Sequence, residues 1–155
     1  MQDAEKTVFK ARLKRWALDI ITQRITAARE AIDQAQQAAN QEEKSSAGDK
    51  YETGRAMGHL QKDMLSRQLA ESMKELAALH SVQTDALCPT AGPGAYMQAE
   101  GIAFFIAAGL GRQQPEGQTI LFLSPQAPLA KILQNKKQGD IIAFLGRNLR
   151  ILEIF

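Results

Sequence analysis

The sequence predicts an α+β protein, with an N-terminal antiparallel helical hairpin over residues 1–80 and a small antiparallel β domain with one short helix over residues 81–155. Two observations support this class. Residues 8–39 contain no glycine or proline, and their apolar side chains recur at steps of three and four, as on an α-helix that buries one face. After residue 80, short apolar runs alternate with turns that contain glycine or proline, which is typical of strands.

The first predicted helix covers residues 8–39. Its apolar stripe is narrow and drifts sideways once, so we expect this helix to pack against one neighbour rather than to be buried on several sides. The stripe consists of Phe9, Leu13, Trp16, Ile20, Ala17, Ile21, Ile25, Ala28, Ile32, Ala35 and Ala39.

Residues 40–51 interrupt the helical period with polar residues and Gly48, and they are interpreted as a connection. A second helix of similar length is predicted over residues 50–80. Two such helices with a short connection favour an antiparallel hairpin with coiled-coil packing. The apolar positions of the second helix are Met57, Leu60, Met64, Leu65, Leu69, Met73, Leu76 and Leu79.

The β domain is predicted from five apolar runs, with turn signals between them. A short helix is predicted between the third and fourth strands, over residues 127–135, with Pro128 in its first turn and Leu129, Ile132 and Leu133 on one side. The five predicted strands are residues 95–98, 102–107, 119–123, 140–145 and 149–154.

Composition excludes several classes of protein. The 19 Lys and Arg residues nearly balance the 17 Asp and Glu residues, and a formal net charge of +2 is too small for nucleic-acid binding by bulk charge. No apolar run reaches the ~18 residues of a membrane span. The single cysteine, Cys88, excludes an internal disulfide. The first residues are charged, unlike a signal peptide, and we expect a cytoplasmic protein with no membrane contact.

The hairpin tip, residues 40–52, is rich in carboxylates, with Glu42, Glu43, Asp49 and Glu52. If a helix begins near residue 49, Asp49 and Glu52 lie on one face, because residues three apart are neighbours. Such a pair can hold Mg²⁺, which takes one or two protein carboxylates and keeps several waters. The same spacing is also a capping box, in which Asp49 caps the helix and Glu52 bonds back. The two interpretations are both open and do not exclude each other.

Other candidate residues point to structural roles. Cys88 would need a base to act as a nucleophile, and His59 and His80 both lie in predicted helices, so a small residue at a domain junction is the simpler interpretation. The glycines near residues 92–94 and 109–111 lack the Lys-Ser/Thr of a phosphate loop. The basic cluster in residues 6–15 is interpreted as a solvated face or as a contact for an acidic partner.

Two segments of the chain, Gly-Asp-Lys-Tyr-Glu at residues 48–52 and the stretch from Ser124 to Phe144, resemble a known family, the bacterial Gre transcript cleavage factors. Residues 48–52, Gly-Asp-Lys-Tyr-Glu, resemble the family's tip pattern of Gly-Asp, two residues and Glu. Residues 124–144, SPQAPLAKILQNKKQGDIIAF, resemble its C-terminal motif, and residues 101–111 fit the strand and turn before it. The motif positions are Ser124, Pro125, Pro128, Leu129, Ala130, Leu133, Lys136, Lys137, Gly139 and Asp140.

The resemblance implies a function that neither segment reveals alone. It implies an FKBP-like C-terminal domain that docks on RNA polymerase near the secondary channel, with Ser124, Pro125, Pro128, Lys136, Lys137, Gly139 and Asp140 as partner-binding or structural positions. It implies that the hairpin enters the channel and that Asp49 and Glu52 help hold a second Mg²⁺, so that the polymerase hydrolyses backtracked RNA. The protein would be an accessory factor and not an enzyme, with no cofactor of its own and only indirect contact with nascent RNA.

The sequence also departs from the family pattern. After Glu52 the family has Asn, Ala, Glu and Tyr, whereas this chain has Thr, Gly, Arg and Ala over residues 53–56, and Lys50 lies between the two acids. Two other functions therefore stand beside the first: a regulator that occupies the channel without cleavage, and a hairpin-mediated interaction protein unrelated to polymerase. An FKBP-like fold also suggests prolyl isomerase activity, which requires a pocket lined by aromatic residues, but we expect several of the aromatic residues of this domain to be core residues. These are Tyr96, Phe104, Phe105, Phe122, Phe144 and Phe155.

Overall fold

The computed structural model describes residues 1–44 and 49–155, and the side chains of residues 1–41 and 53–155. The described residues form two compact units, Met1–Leu18 with Ala78–Phe155, and Asp19–Ala77. Their helices and strands are α1 (Asp3–Lys44), α2 (Asp49–Ser81), β1 (Tyr96–Ala99), β2 (Ile102–Ile106), β3 (Gly111–Gln113), β4 (Ile120–Leu123), α3 (Pro128–Leu133), β5 (Ile141–Phe144) and β6 (Arg147–Ile154). The architecture is therefore α+β, with two long N-terminal helices followed by a sheet domain, as the sequence predicts.

Both long helices extend beyond their predicted ends. At the start of α1, the carboxylate of Glu5 accepts a hydrogen bond from the Gln2 amide at 2.8 Å, which is half of a capping box and allows the helix to begin at Asp3. At the other end, α1 continues to Lys44, because residues 40–44 contain good helix formers and no glycine or proline. The connection is thus shorter than the predicted residues 40–51. None of the described helices is long and apolar enough to cross a membrane.

The sheet is mixed, so the prediction of an antiparallel domain is wrong at one pair of strands. Its order is β3-β4-β2-β1-β6-β5, and β2 pairs with β4 in parallel while the other neighbours are antiparallel. The parallel pair arises because β4 enters the sheet between β2 and β3. The sequence analysis did not predict β3, since Gly111-Arg112-Gln113 carries no apolar side chain.

One face of the sheet packs against α3. This core combines residues of β1, β2, β5 and β6 with Ala130 and Leu133 of α3. The prediction that Ile132 shares the buried side of this helix is wrong, because its side chain is exposed and Ala130 takes that place. The helix is also shorter than predicted, ending at Leu133.

The opposite face of the sheet meets the beginning of α1. The Phe9 ring lies 5.0 Å from the Tyr96 ring and 6.2 Å from the Phe155 ring, measured between centroids, in edge-to-face arrangements. Leu13 and Ala17, one and two turns further along, are also buried. The first 18 residues of the chain therefore belong to the same compact unit as the sheet.

In the second unit, Asp19–Ala77, the described residues belong to α1 and α2, and the seam of α2 differs from the prediction. On α1, Ile21 and Ile25 are buried, in agreement with the predicted stripe. On α2, four residues predicted to lie in the seam are largely exposed, namely Met57, Leu60, Met64 and Met73. Most of the partly buried positions recur at steps of three and four, but they include small and polar residues. They are Gly54, Gly58, Lys62, Leu65, Leu69, Ser72, Glu75 and Leu76. The hydrophobic pattern of α2 therefore predicted only part of its buried face correctly.

Candidate functional site

The acids of the hairpin tip lie where only the backbone is described. Asp49 is the first residue of α2, and Glu52 follows three residues later in its first turn. The side chains of both residues, and those of Glu42 and Glu43, lie outside the described residues, so the predicted Mg²⁺ site and the alternative capping box lie there too. Among the side chains that the structure does describe, no group of three or more His, Cys, Asp or Glu residues could hold a metal ion.

The first half of the C-terminal motif forms the turn between β4 and α3. The Ser124 hydroxyl accepts a hydrogen bond from the Gln126 amide at 3.2 Å, and the Ser124 carbonyl accepts one from the Ala127 amide at 3.0 Å. Pro128 then opens α3, at a position where a missing amide hydrogen costs nothing and the fixed φ suits a helix. Ser124 and Pro125 are half-buried in this turn, while Pro128 is exposed. These residues therefore shape the turn and leave part of their surface accessible.

The second half of the motif forms the turn before β5. The Lys137 amide donates to the Asp140 carboxylate at 3.0 Å, and the Asp140 amide donates to the Lys137 carbonyl at 3.1 Å. Gly139, with φ of +91°, donates its amide to the Ile151 carbonyl at 2.9 Å. The carbonyl of Lys136 accepts a hydrogen bond from the Ala91 amide at 2.8 Å. The structure thus brings the predicted residues Lys137 and Asp140 together, through backbone bonding that fixes the turn.

The basic cluster near the start of α1 has internal partners. Lys6 Nζ lies 3.3 Å from the Glu153 carboxylate and 5.4 Å from the centroid of the Phe155 ring. Two turns later, Lys14 Nζ donates to the Val82 carbonyl at 2.7 Å, just beyond the last residue of α2, where carbonyls without helical partners favour a cation. Spaced four residues apart, Lys6, Lys10 and Lys14 lie on one face of α1, and we call them the lysine row.

Lys10, in the middle of the lysine row, is a buried charged residue that was not predicted from the sequence. Its side chain is 0% exposed, and Nζ donates to the Ala86 carbonyl at 2.7 Å and to Cys88 Sγ at 3.7 Å. Burial lowers the pKa of Lys10 below its ordinary value, and the nearby Cys88 and Asp85 oppose that effect. The spacing of the three lysines was visible in the sequence, but the carbonyl that Lys10 binds lies 76 residues away along the chain.

Five of the six aromatic residues named above are core residues, in agreement with the expectation for several of them, and Phe144 is only partly buried. Tyr96 and the phenylalanines at 104, 105, 122 and 155 are all buried, and several rings meet edge to face. The Tyr96 hydroxyl donates to Gln98 Oε1 at 2.9 Å and accepts from Gln118 Nε2 at 2.7 Å. The pKa of Tyr96 is raised above its ordinary value, mainly by burial and further by the nearby Glu153, and the hydrogen bond from Gln118 opposes this rise. These rings are committed to packing, which leaves little aromatic surface for an isomerase pocket.

Comparison with known proteins adds no family assignment. No protein-family model matches this chain, and a search of curated proteins finds no significant match.

Proposed function

We propose that this protein is an RNA-polymerase-binding elongation factor of the Gre type, whose hairpin tip enters the secondary channel and stimulates cleavage of backtracked RNA. In this proposal the C-terminal domain is FKBP-like and docks on the polymerase, and the hairpin packs as a coiled coil. The protein is an accessory factor, and the polymerase supplies both the RNA and the first Mg²⁺.

The observation that carries the proposal is the position of Asp49 and Glu52 in the chain. α1 ends at Lys44 and α2 begins at Asp49, so both acids belong to the first turn after the hairpin connection. At ~1.5 Å per residue, the part of α2 from there to Ala77 is roughly 40 Å long, and a helix of this length supports the idea of a probe. A sheet domain that carries the Ser124–Asp140 motif follows in the order that the resemblance implies.

The donor set suits the chemistry. A Mg²⁺ ion held by one or two carboxylates can activate water and stabilise an in-line displacement at phosphorus. Three residues apart in a helical turn, Asp49 and Glu52 are placed to supply those carboxylates together. A formal net charge of +2 fits a protein that reaches RNA inside another protein's active site and does not need to bind nucleic acid by its own charge.

Two alternatives are supported by specific observations. Lys50 lies between the two acids and Arg55 follows them, and both would weaken binding of a cation at the tip. This favours a regulator that occupies the channel without cleavage. The exposed methionine and leucine side chains of α2, Met57, Leu60 and Met64, lie at steps of three and four on one helix face. They favour a hairpin that binds another protein and never meets polymerase.

The experiment adds the purified protein to stalled, backtracked polymerase complexes and follows the 3′ end of labelled RNA over a range of Mg²⁺ concentrations. The test variants are Asp49→Asn and Glu52→Gln. The control variant is Asp63→Asn, which removes an exposed carboxylate from α2 outside the tip. We expect shortened RNA with the wild type and the control, and a loss of at least about tenfold in cleavage rate with either tip variant, as for removal of a metal-binding carboxylate.

Each other outcome points to a different conclusion. If all four proteins cleave equally well, the assignment of the tip acids is wrong. Polymerase binding without any Mg²⁺-dependent cleavage would support the non-cleaving regulator. A lack of polymerase binding, together with association through the exposed α2 face, would support the interaction protein.

A further inference from the structure

The two edges of the sheet differ in how they are protected from other strands. β3 forms one edge, and it is only three residues long and carries the exposed Arg112. Short length and charge are ways in which proteins prevent pairing at an edge. β5 forms the other edge, and its four residues, Ile-Ile-Ala-Phe, include no charge and no proline. From Ile141 to Phe144 its pairing with β6 has no register shift. A bulge lies just before β5, where Gly139 and Asp140 both bond to Ile151, but none lies within the strand itself.

The backbone of β5 has hydrogen-bonding groups that point away from the sheet. In its antiparallel pairing with β6, hydrogen-bonded pairs alternate with pairs that do not exchange hydrogen bonds. The Ile151 amide donates to the Asp140 carbonyl at 2.8 Å, which places the following bonded pairs at Ile142 and Phe144. Ile141 and Ala143 therefore turn their amides and carbonyls towards the open edge. No described backbone or side-chain group is bonded to them there.

Apolar side chains are exposed beside this edge. Ile141 is 56% exposed, Leu152 is 48% exposed, and Leu145, in the turn between β5 and β6, is 77% exposed. Leu145 has φ of +49° and Gly146 has φ of +75°, a two-residue turn that normally prefers Asn-Gly. The chain thus places a large apolar side chain at an exposed corner, where its backbone conformation is unfavourable.

The charge beside the edge is mainly positive, although Asp140 precedes β5 and the Glu100 carboxylate accepts a hydrogen bond from the Arg150 amide at 2.7 Å. Across the β5–β6 pairing, Arg150 lies opposite Ile141 and Arg147 lies opposite Phe144, and both arginines are exposed. Neither forms a salt bridge within the described part of the chain. Two copies paired through this edge would bring like charges together, whereas an acidic segment would meet complementary charge. The charge therefore selects an acidic partner over a second copy of this chain.

We propose that the open edge of β5 binds an extended acidic segment of a partner protein, which adds to the sheet as a seventh strand. The amides and carbonyls of Ile141 and Ala143 bond the backbone of that segment, as in other cases of strand addition. Arg150 shares a sheet face with Ile141, whereas Arg147 shares the opposite face with Phe144. In a segment of alternating acidic and apolar residues, the carboxylates on the first face pair with Arg150, and the apolar side chains lie on the second face, beside Phe144. This site is separate from the hairpin tip, and the proposal goes beyond polymerase binding and does not depend on it.

The experiment uses the full chain and a fluorescein-labelled peptide of alternating valine and glutamate, ten residues long, followed by fluorescence anisotropy. Ala143→Pro removes an outward amide without breaking a bond to β6, and Ala143→Ser is its matched control because it keeps that amide. Arg150→Glu reverses the charge beside β5, and Arg112→Glu is the matched reversal at the β3 edge. We expect Ala143→Pro to weaken binding at least tenfold and Arg150→Glu about fivefold, with both controls close to wild type.

A second measurement separates strand addition from a general charge contact. In the complex, hydrogen exchange of the Ile141 and Ala143 amides, followed by NMR, should slow at least about tenfold, because both become bonded to the added strand. The proposal is overturned if the glutamate peptide fails to bind, if a valine–lysine peptide binds as tightly, or if those two amides gain no protection. It is also overturned if the protein dimerises in sedimentation and Ala143→Pro abolishes the dimer, since the edge would then pair with itself.

Discussion

Replacing Gly94 with alanine should destabilise the sheet domain more than the same change at any glycine in an open turn. Gly94 lies just before β1 with φ of +86°, and its amide donates to the Ile106 carbonyl at 2.7 Å. A Cβ at this position would lie closer than 3.0 Å to the carbonyl oxygen of Gln83, a separation that real Cβ atoms essentially never show. The obstacle is backbone, which cannot rotate away as a flexible side chain can.

Two effects determine the size of the loss. An alanine at positive φ costs about 1–2 kcal/mol relative to glycine. The overlap with Gln83 adds the cost of overpacking, about 1–3 kcal/mol, since the neighbouring Val82 and Thr84 are both buried and resist a shift of that segment. We therefore expect Gly94→Ala to lower the free energy of unfolding by about 2–5 kcal/mol.

The matched control is Gly101→Ala, in the turn between β1 and β2. Gly101 has φ of +80°, but nothing lies within 4 Å of its added Cβ, so only the backbone conformation opposes this change. Its cost should stay near 1–2 kcal/mol. The assay is urea unfolding followed by circular dichroism, with the midpoint compared at an unchanged slope. Equal losses for the two variants would show that Gln83 yields freely and that the contact does not matter.

Three further changes test other parts of the structure. Burial lowers the pKa of Lys10 below its ordinary value of 10.5. Between the lowered pKa and 10.5, the unfolded chain therefore binds more protons than the folded chain. The contribution of this lysine to the free energy of unfolding should increase as pH rises through that window. In urea unfolding from pH 8 to 10.5, the free energy of unfolding of the wild type should therefore rise relative to that of Lys10→Met. A difference between the two proteins that stays constant with pH would contradict the buried position of Lys10. Leu145→Asn should raise the free energy of unfolding by about 0.5–1 kcal/mol in thermal unfolding, because asparagine suits the positive φ of this turn better than leucine does. Unchanged stability would show that the positive φ of Leu145 carries no strain. Leu13→Ala should lower the free energy of unfolding by about 2–5 kcal/mol in calorimetry, because it truncates a buried side chain, whereas the exposed Val8→Ala should lower it by less than about 0.5 kcal/mol. Similar losses for the two variants would show that the start of α1 does not pack in the core.

Local patterns in the sequence predicted the helices better than the sheet. Apart from Lys10, the buried positions of α1 follow the predicted stripe, because steps of three and four along one helix determine which side chains share a face. On α2 the same logic was wrong at Met57, Leu60 and Met64, since the partly buried row runs through Gly58, Lys62 and Ser72. Small and polar residues can lie in the seam between two helices when the neighbouring helix approaches closely, and a hydrophobic pattern does not predict such positions.

The sheet shows where sequence reasoning fails. Five apolar runs predicted five strands in the right places, but β3 has no apolar residue and gave no signal. The parallel pairing of β2 with β4 depends on the order in which strands enter the sheet, and that order is a property of the whole domain. The open edge at β5 could not be predicted for the same reason, because an apolar run has the same appearance in a central strand and in an edge strand.

Two groups of basic residues in the unit formed by residues 1–18 and 78–155 have different consequences. The lysine row of α1, although visible in the sequence as a possible contact for an acidic partner, directs its ammonium groups to the Glu153 carboxylate and to the Ala86 and Val82 carbonyls. A second protein would have to displace these internal partners, and Lys10 is inaccessible to it. Arg147 and Arg150 have no such ion pairs among the described residues and stand beside unpaired backbone groups. Positive charge near the start of α1 therefore holds the fold together, whereas positive charge beside β5 is free to attract an acidic segment, and reversing it should change binding rather than stability.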